Sequence, residues 1–145
     1  MFVTNKLNLL LLLAWCGLIF MLSHLTASDL PAQFALASQN SQGTSPGSLI
    51  TFLNWDKLHH AGAYAVMALL AWRTFNHYDY RPLQLITISF IFCSLYGLSD
   101  EWHQSFIAGR ESDLLDWFAD TVGASIILSF AYLKELQPEF REALI

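Results

Sequence analysis

Charge is scarce in this chain: Asp, Glu, Lys and Arg together make up 13% of its 145 residues, about half the share usual in a soluble domain. Basic residues are scarcer still, 7 Lys and Arg against 12 Asp and Glu for a net charge of -5, so there is no clustered cationic surface for a nucleic acid to use. Cysteine is nearly absent. Cys16 and Cys93 each sit alone inside an apolar run, which excludes the C-x-x-C spacing of a zinc or redox site and leaves both as small core or lipid-facing residues. Compact metal motifs such as H-E-x-x-H are missing, and so is an evident nucleophile. Hydrophobic residues, by contrast, reach 54%, with 11 Phe and 5 Trp. A chain of one domain's length with this balance is built for a lipid solvent, and the bilayer is its first partner.

Four segments are apolar for long enough to be read as crossings, since about 20 residues cover the roughly 30 Å of hydrocarbon. The first, about 7–27, has no polar side chain from Leu9 to Leu22. Its rival, a cleaved signal peptide, is disfavoured by the length of the run and by Leu25, which spoils an A-x-A site. The second, about 57–75, is bracketed by Lys57 and Arg73, which can snorkel to the interfaces. The third, about 82–99, opens on Pro82, harmless in a first helical turn because its missing N–H would be unpaired there anyway. The fourth, about 114–133, is apolar except for Asp116 and Asp120 near its start. The intervening 28–54 stretch is rich in Ser, Gln, Gly and Pro, a composition that cannot bury a core, and reads as an external loop. The expected fold is all-α: a single four-helix transmembrane bundle occupying the whole chain, 1–145.

With four crossings, Lys6, Arg73, Arg81, Lys134 and Arg141 share one side and only Lys57 and Arg110 the other. The positive-inside rule then places both termini in the cytoplasm. Half of the acids, Asp100, Glu101, Glu111, Asp113, Asp116 and Asp120, fall at the outer end. Helical geometry turns them into stripes: at about 100° per residue, Asp56, Lys57, His60 and Tyr64 share one face of the second span. Asp100, Glu101 and Gln104 align at the end of the third, and Asp113, Asp116 and Asp120 align on the fourth. Three helices thus aim polar stripes at one level of the membrane. Asp120 stands out, because it lies about 10 Å of helix rise beyond Asp113. An unpaired carboxylate at that depth costs about 2.5 kcal/mol or more, so it needs a proton or a partner such as Lys57 or Arg110. Intramembrane ionisable groups are functional candidates by default. His59 and His103 lie off the stripes and read as interface residues, and Trp15, Trp55, Trp72, Trp102 and Trp117 mostly sit near span ends, as an aromatic belt requires. Gly62, Gly97 and Gly123 are expected to allow close helix approach.

The spacings Asp56-Lys57-x-x-His60-x-x-x-Tyr64, Tyr96-Gly97-x-x-Asp100-Glu101-x-x-Gln104-x-Phe106-x-x-Gly109-Arg110 and Asp116-x-x-x-Asp120-x-x-Gly123, with Phe20-x-x-Ser23 in the first span, resemble the VanZ-like family. The resemblance implies a small multi-pass protein of the bacterial cytoplasmic membrane whose namesake is associated with teicoplanin resistance; it implies no reaction. Two functions remain open. In one, an enzyme site for a lipid-linked or envelope phosphate uses Asp100, Glu101, Asp116 and Asp120 to hold a divalent cation, His60 to move a proton, and Lys57 and Arg110 to bind phosphate oxygens, with Asp56, Tyr64 and Gln104 completing the ligand face. In the other, a non-catalytic accessory protein uses the charge cluster to hold a cell-wall precursor, phospholipid, glycopeptide or partner helix, or to relay protons.

Overall fold

A computed structural model describes residues 2–24, 55–107 and 112–137. The expected 28–54 loop, Arg110, Glu111 and the tail with Arg141 lie outside the described residues, as does the side chain of Asp56. Four helices account for the architecture, α1 (Phe2–His24), α2 (Trp55–Phe75), α3 (Pro82–Gln104) and α4 (Leu114–Glu135), with no strand among the described residues. Three stretches, Asn5–His24, Pro82–Gln104 and Leu114–Glu135, are long and apolar enough to cross a membrane.

The expected second span falls short of that composition. α2 is long enough, 21 residues or about 31 Å by rise, but Lys57, His59, His60 and Arg73 dilute its hydropathy. Its position explains why this is tolerable. α2 packs against each of the other helices, and Tyr64, Met67, Ala68 and Ala71 are no more than 1% exposed. Much of its apolar surface is spent on neighbouring helices, so a lipid-facing average underrates it. α1 is the opposite case, placed at the periphery against α2 and α3, with Leu10, Leu13, Met21 and Leu22 exposed. In water such a surface would aggregate; in a bilayer it faces chains as apolar as itself.

Contacts between helix ends fix the directions. Asn8 near the start of α1 meets His77 just beyond α2 at 3.1 Å, whereas Ser23 at the end of α1 meets Asp100 near the end of α3 at 2.8 Å. Lys57 at the start of α2 reaches Asp113 at the start of α4. The chain therefore runs up, down, up, down, with α2 and α4 parallel. Among the described helices these two make the most extensive contact, and their backbones meet at Gly123. A Cβ there would lie 2.7 Å from the Ala61 Cα and carbonyl carbon and closer still to its oxygen, so only glycine lets the backbones meet. Gly97 is a packing glycine of another kind, roofed by side chains, whereas Gly62 has nothing within 4 Å of an added Cβ. The expectation of close approach fails at Gly62, because that face of α2 borders a cleft.

Several Ser and Thr hydroxyls are satisfied within their own helices, Thr74 by Leu70, Ser89 by Leu85, Ser125 by Thr121, which makes them compatible with lipid. Two tryptophans expected at the interfaces instead fasten helices: Trp15 Nε1 donates to the Ala63 carbonyl at 2.9 Å and Trp117 Nε1 to that of Ser94 at 3.1 Å. A buried indole N–H needs an acceptor, and facing backbones offer one. Cys16 and Cys93 are buried as free thiols.

Candidate functional site

Helix boundaries set the polar end of the bundle. α3 continues past Ser99, where the apolar run ends, to Gln104, so Asp100, Glu101 and Gln104 project from regular helix. α4 starts at an N-cap, where Asp113 Oδ1 accepts from the Leu115 N–H at 2.9 Å, the arrangement that satisfies an orphan first-turn donor. That cap fixes the angular position of Asp116 and Asp120, one and two turns onward. Both elements bring their acids inward: Asp100, Glu101, Asp116 and Asp120 are each buried.

Partners sort these acids into levels. Outermost, the Lys57 ammonium donates to Asp113 at 2.8 Å and makes a short contact with Asp116. Burial pushes the Asp113 carboxyl up, but the Lys57 ammonium and the Leu115 N–H outweigh it and hold the group below the usual aspartate range. Lys57 is thus already shared between two carboxylates. One turn deeper, His60 Nδ1 and Asp120 Oδ1 are 3.0 Å apart, and Asp120 is wholly buried. Among the described residues the partner of Asp120 is therefore His60 rather than Lys57, and the other expected partner, Arg110, lies outside them. Toward α1, Asp100 Oδ2 accepts from Gln104 Nε2 at 3.1 Å and from the Ser23 hydroxyl at 2.8 Å. Glu101 turns the other way, and its Oε2 accepts from the Asp113 backbone N–H at 2.8 Å and from the Ser112 hydroxyl at 3.2 Å.

Three polar atoms in this volume have no hydrogen-bond partner among the described residues: Glu101 Oε1, Asp120 Oδ2 and the Tyr64 hydroxyl. Their side chains are 2% exposed or less. Each such buried group costs roughly 1–3 kcal/mol relative to a satisfied one. Tyr64 and Asp120 approach each other over Gly97, whose added Cβ would stand 3.1 Å from Asp120 Oδ2 and 3.3 Å from the Tyr64 ring. His60, Glu101 and Asp120 each offer one ligand atom, all within 4.8 Å of one another. Of the four carboxylates expected to hold a cation, Asp100 and Asp116 are engaged by Ser23 with Gln104 and by Lys57, while Glu101 and Asp120 converge on His60.

A cleft of about 510 Å³ opens beside this cluster, between α1 and α2. Leu18, Ile19, Leu22, Leu58 and Val66 give it an apolar wall, and Ser23, His60, Tyr64 and Asp100 form its polar end. Leu18, Leu22 and Leu58 are 43%, 54% and 48% exposed, so the cleft opens sideways, toward the lipid. Sequence reasoning found the cluster but missed the cleft. It also left Ser23 without a partner, because nothing local in the first span signals Asp100, 77 residues away. His59 is exposed; His103 stacks on Phe20 with centroids 4.6 Å apart and on His24 at 5.8 Å.

No curated protein and no solved structure matches the chain. The family model described as VanZ/LLP1 matches residues 8–135, a range that includes all four helices apart from the first turns of α1 and the entire polar cluster. By that match the chain belongs to the VanZ-like family of membrane proteins.

Proposed function

We propose that the protein binds a lipid-linked anionic ligand of the bacterial envelope at the outer face of the cytoplasmic membrane, and through it influences susceptibility to glycopeptides. The observation that carries this reading is the α1–α2 cleft, apolar along its wall and polar at one end. That is the shape of an amphiphile, with its chain against Leu18, Leu22 and Leu58 and its headgroup at His60, Tyr64 and Asp100. The volume lies within the range of ligand pockets generally, roughly 300–1,000 Å³, and the sideways opening gives a lipid a route that avoids water. A cell-wall precursor or a phospholipid fits this description. Outer placement is supported by the excess of Lys and Arg at the opposite end of the bundle. Buried acids favour a bound anion only if positive charge accompanies it. His60, held by Asp120 at the polar end of the cleft, is placed to meet the headgroup.

The cleft can be closed without disturbing the core. Gly62 borders it and leaves room for a side chain, so Gly62→Leu should fill the cleft while preserving the fold. In nanodiscs, a photoreactive lipid phosphate should crosslink to α1 and α2 in the natural chain and several-fold less in Gly62→Leu at equal abundance. Equal crosslinking of both proteins would remove the cleft as the binding site.

A further inference from the structure

We infer that His60, Glu101 and Asp120 form a binding site for one divalent transition-metal ion of the zinc or manganese kind. The argument begins with the three elements that supply them. α2 delivers His60, α3 delivers Glu101 and α4 delivers Asp120, so the site lies where the three best-packed helices meet. One ligand atom from each lies within 4.8 Å of the other two. Ligand atoms held about 2.1 Å from one tetrahedral ion stand about 3.4 Å apart. Side-chain adjustments that shorten the longest separation by up to about 1.4 Å therefore complete the set.

A cluster of acids alone would not distinguish an ion site from a solvated patch. These acids are not solvated. Glu101 is 2% and Asp120 0% exposed, and each keeps one carboxyl oxygen without a partner among the described residues. The Tyr64 hydroxyl, on a residue 1% exposed, is in the same position, with its ring beside Asp120 over Gly97. Buried carboxylates are kept by pairing or by a cation. Lys57, the one Lys or Arg at this end among the described residues, is held by Asp113 and Asp116 a turn farther out. A cation at His60, Glu101 and Asp120 supplies the missing charge.

Ligand chemistry narrows the ion. An imidazole nitrogen disfavours calcium and magnesium, which prefer oxygen throughout, and two carboxylates without a thiolate disfavour soft ions. Three protein ligands leave a coordination position open, as in catalytic zinc sites. The Ser112 hydroxyl and Asp113 N–H, both donating to the other oxygen of Glu101, hold that ligand in orientation as outer-shell groups do. The ion's presence stands on this geometry alone; its role, neutralising an anionic headgroup at the adjoining end of the cleft, rests on the lipid-phosphate reading.

The test uses the full chain in detergent, stripped with a chelator and dialysed against Zn²⁺ or Mn²⁺. Elemental analysis should find about one ion per chain, and affinity should drop at least about tenfold in each of Asp120→Asn, Glu101→Gln and His60→Gln. Asp79→Asn, a surface acid at the far end, should bind as the natural chain does. Pulsed EPR of the Mn²⁺-loaded natural chain is a second measurement that needs no variant to fold, and it should show coupling to an imidazole nitrogen. Absence of that coupling, no ion above background, or binding unaltered in all three variants would overturn the site. Lipid crosslinking without ion binding overturns the ion and spares the cleft; ion binding without crosslinking supports the ion and removes the lipid reading.

Discussion

A single ammonium, that of Lys57, organises the outer edge of the polar cluster, and its two partners differ in what they need from it. The Asp113 side chain is 43% exposed and the Asp116 side chain 8%. Water and salt can replace Lys57 at Asp113. At Asp116 they cannot, and removing one member of a buried pair typically costs about 3–5 kcal/mol, somewhat less here because Lys57 is at the rim. Lys57→Met should accordingly lower the unfolding temperature and the membrane abundance. Asp116→Asn in that background should recover most of the loss, with a coupling of about 1–3 kcal/mol between the two positions. Strictly additive effects of the two changes in detergent-solubilised melts would show that Lys57 answers chiefly to Asp113. Lys57→Arg keeps the charge and should be partly tolerated, though the wider guanidinium does not reproduce a point charge shared by two carboxylates.

Between elements, the α2–α4 contact carries the register of the site. Gly123 lies against the Ala61 backbone, next to His60, and three residues after Asp120. The pairing of Asp120 with His60 is therefore set at nearly the same height as the close backbone approach of Gly123 to Ala61. Gly123→Ala places a methyl against backbone that cannot rotate away. We expect the upper end of the overpacking range, about 3 kcal/mol or more, read as a lower melting temperature, with His60 and Asp120 drawn apart. Gly62→Ala meets nothing within 4 Å and replaces a poor helix former, so its stability should stay level or rise by up to about 1 kcal/mol. Equal destabilisation by the two substitutions would mean that helix propensity, rather than interhelical distance, governs both glycines.

At the scale of the whole molecule, the question is how many times the chain crosses the membrane. Three helices meet the requirement by length and composition, and α2 does not. Yet α2 runs alongside the others, packed against all three, and its direction alternates with theirs. A reporter active only outside the cytoplasm separates the possibilities. Four crossings with cytoplasmic termini predict activity for a fusion within the 28–54 loop and silence for one after Lys134. If α2 did not cross, the second fusion would be active too, and an active fusion at Lys134 with a silent one in the loop would invert the protein and put the polar site inside.

Much of this was legible in the sequence, because the hydrophobic effect acts residue by residue and sums along a segment. The apolar runs at Leu9–Leu22 and beyond Asp120 mark helices whatever they pack against, and a period of 3.6 residues places Lys57, His60 and Tyr64 on one face before any partner is known. That a polar cluster exists at one end of an all-α membrane bundle follows from these local rules. Which acid meets which base does not. Lys57 and His60 share a face, and Asp113, Asp116 and Asp120 share another, so either base can reach more than one acid until the helices are set in height. The approach of Gly123 to Ala61 sets that height, giving Lys57 to Asp113 and Asp116 and His60 to Asp120. The same packing brings Ser23 to Asp100, opens the cleft beside Gly62 and turns Glu101 toward the His60–Asp120 pair. Those are relations between distant segments, decided by interhelical distance and rotation, which no stretch of sequence carries by itself.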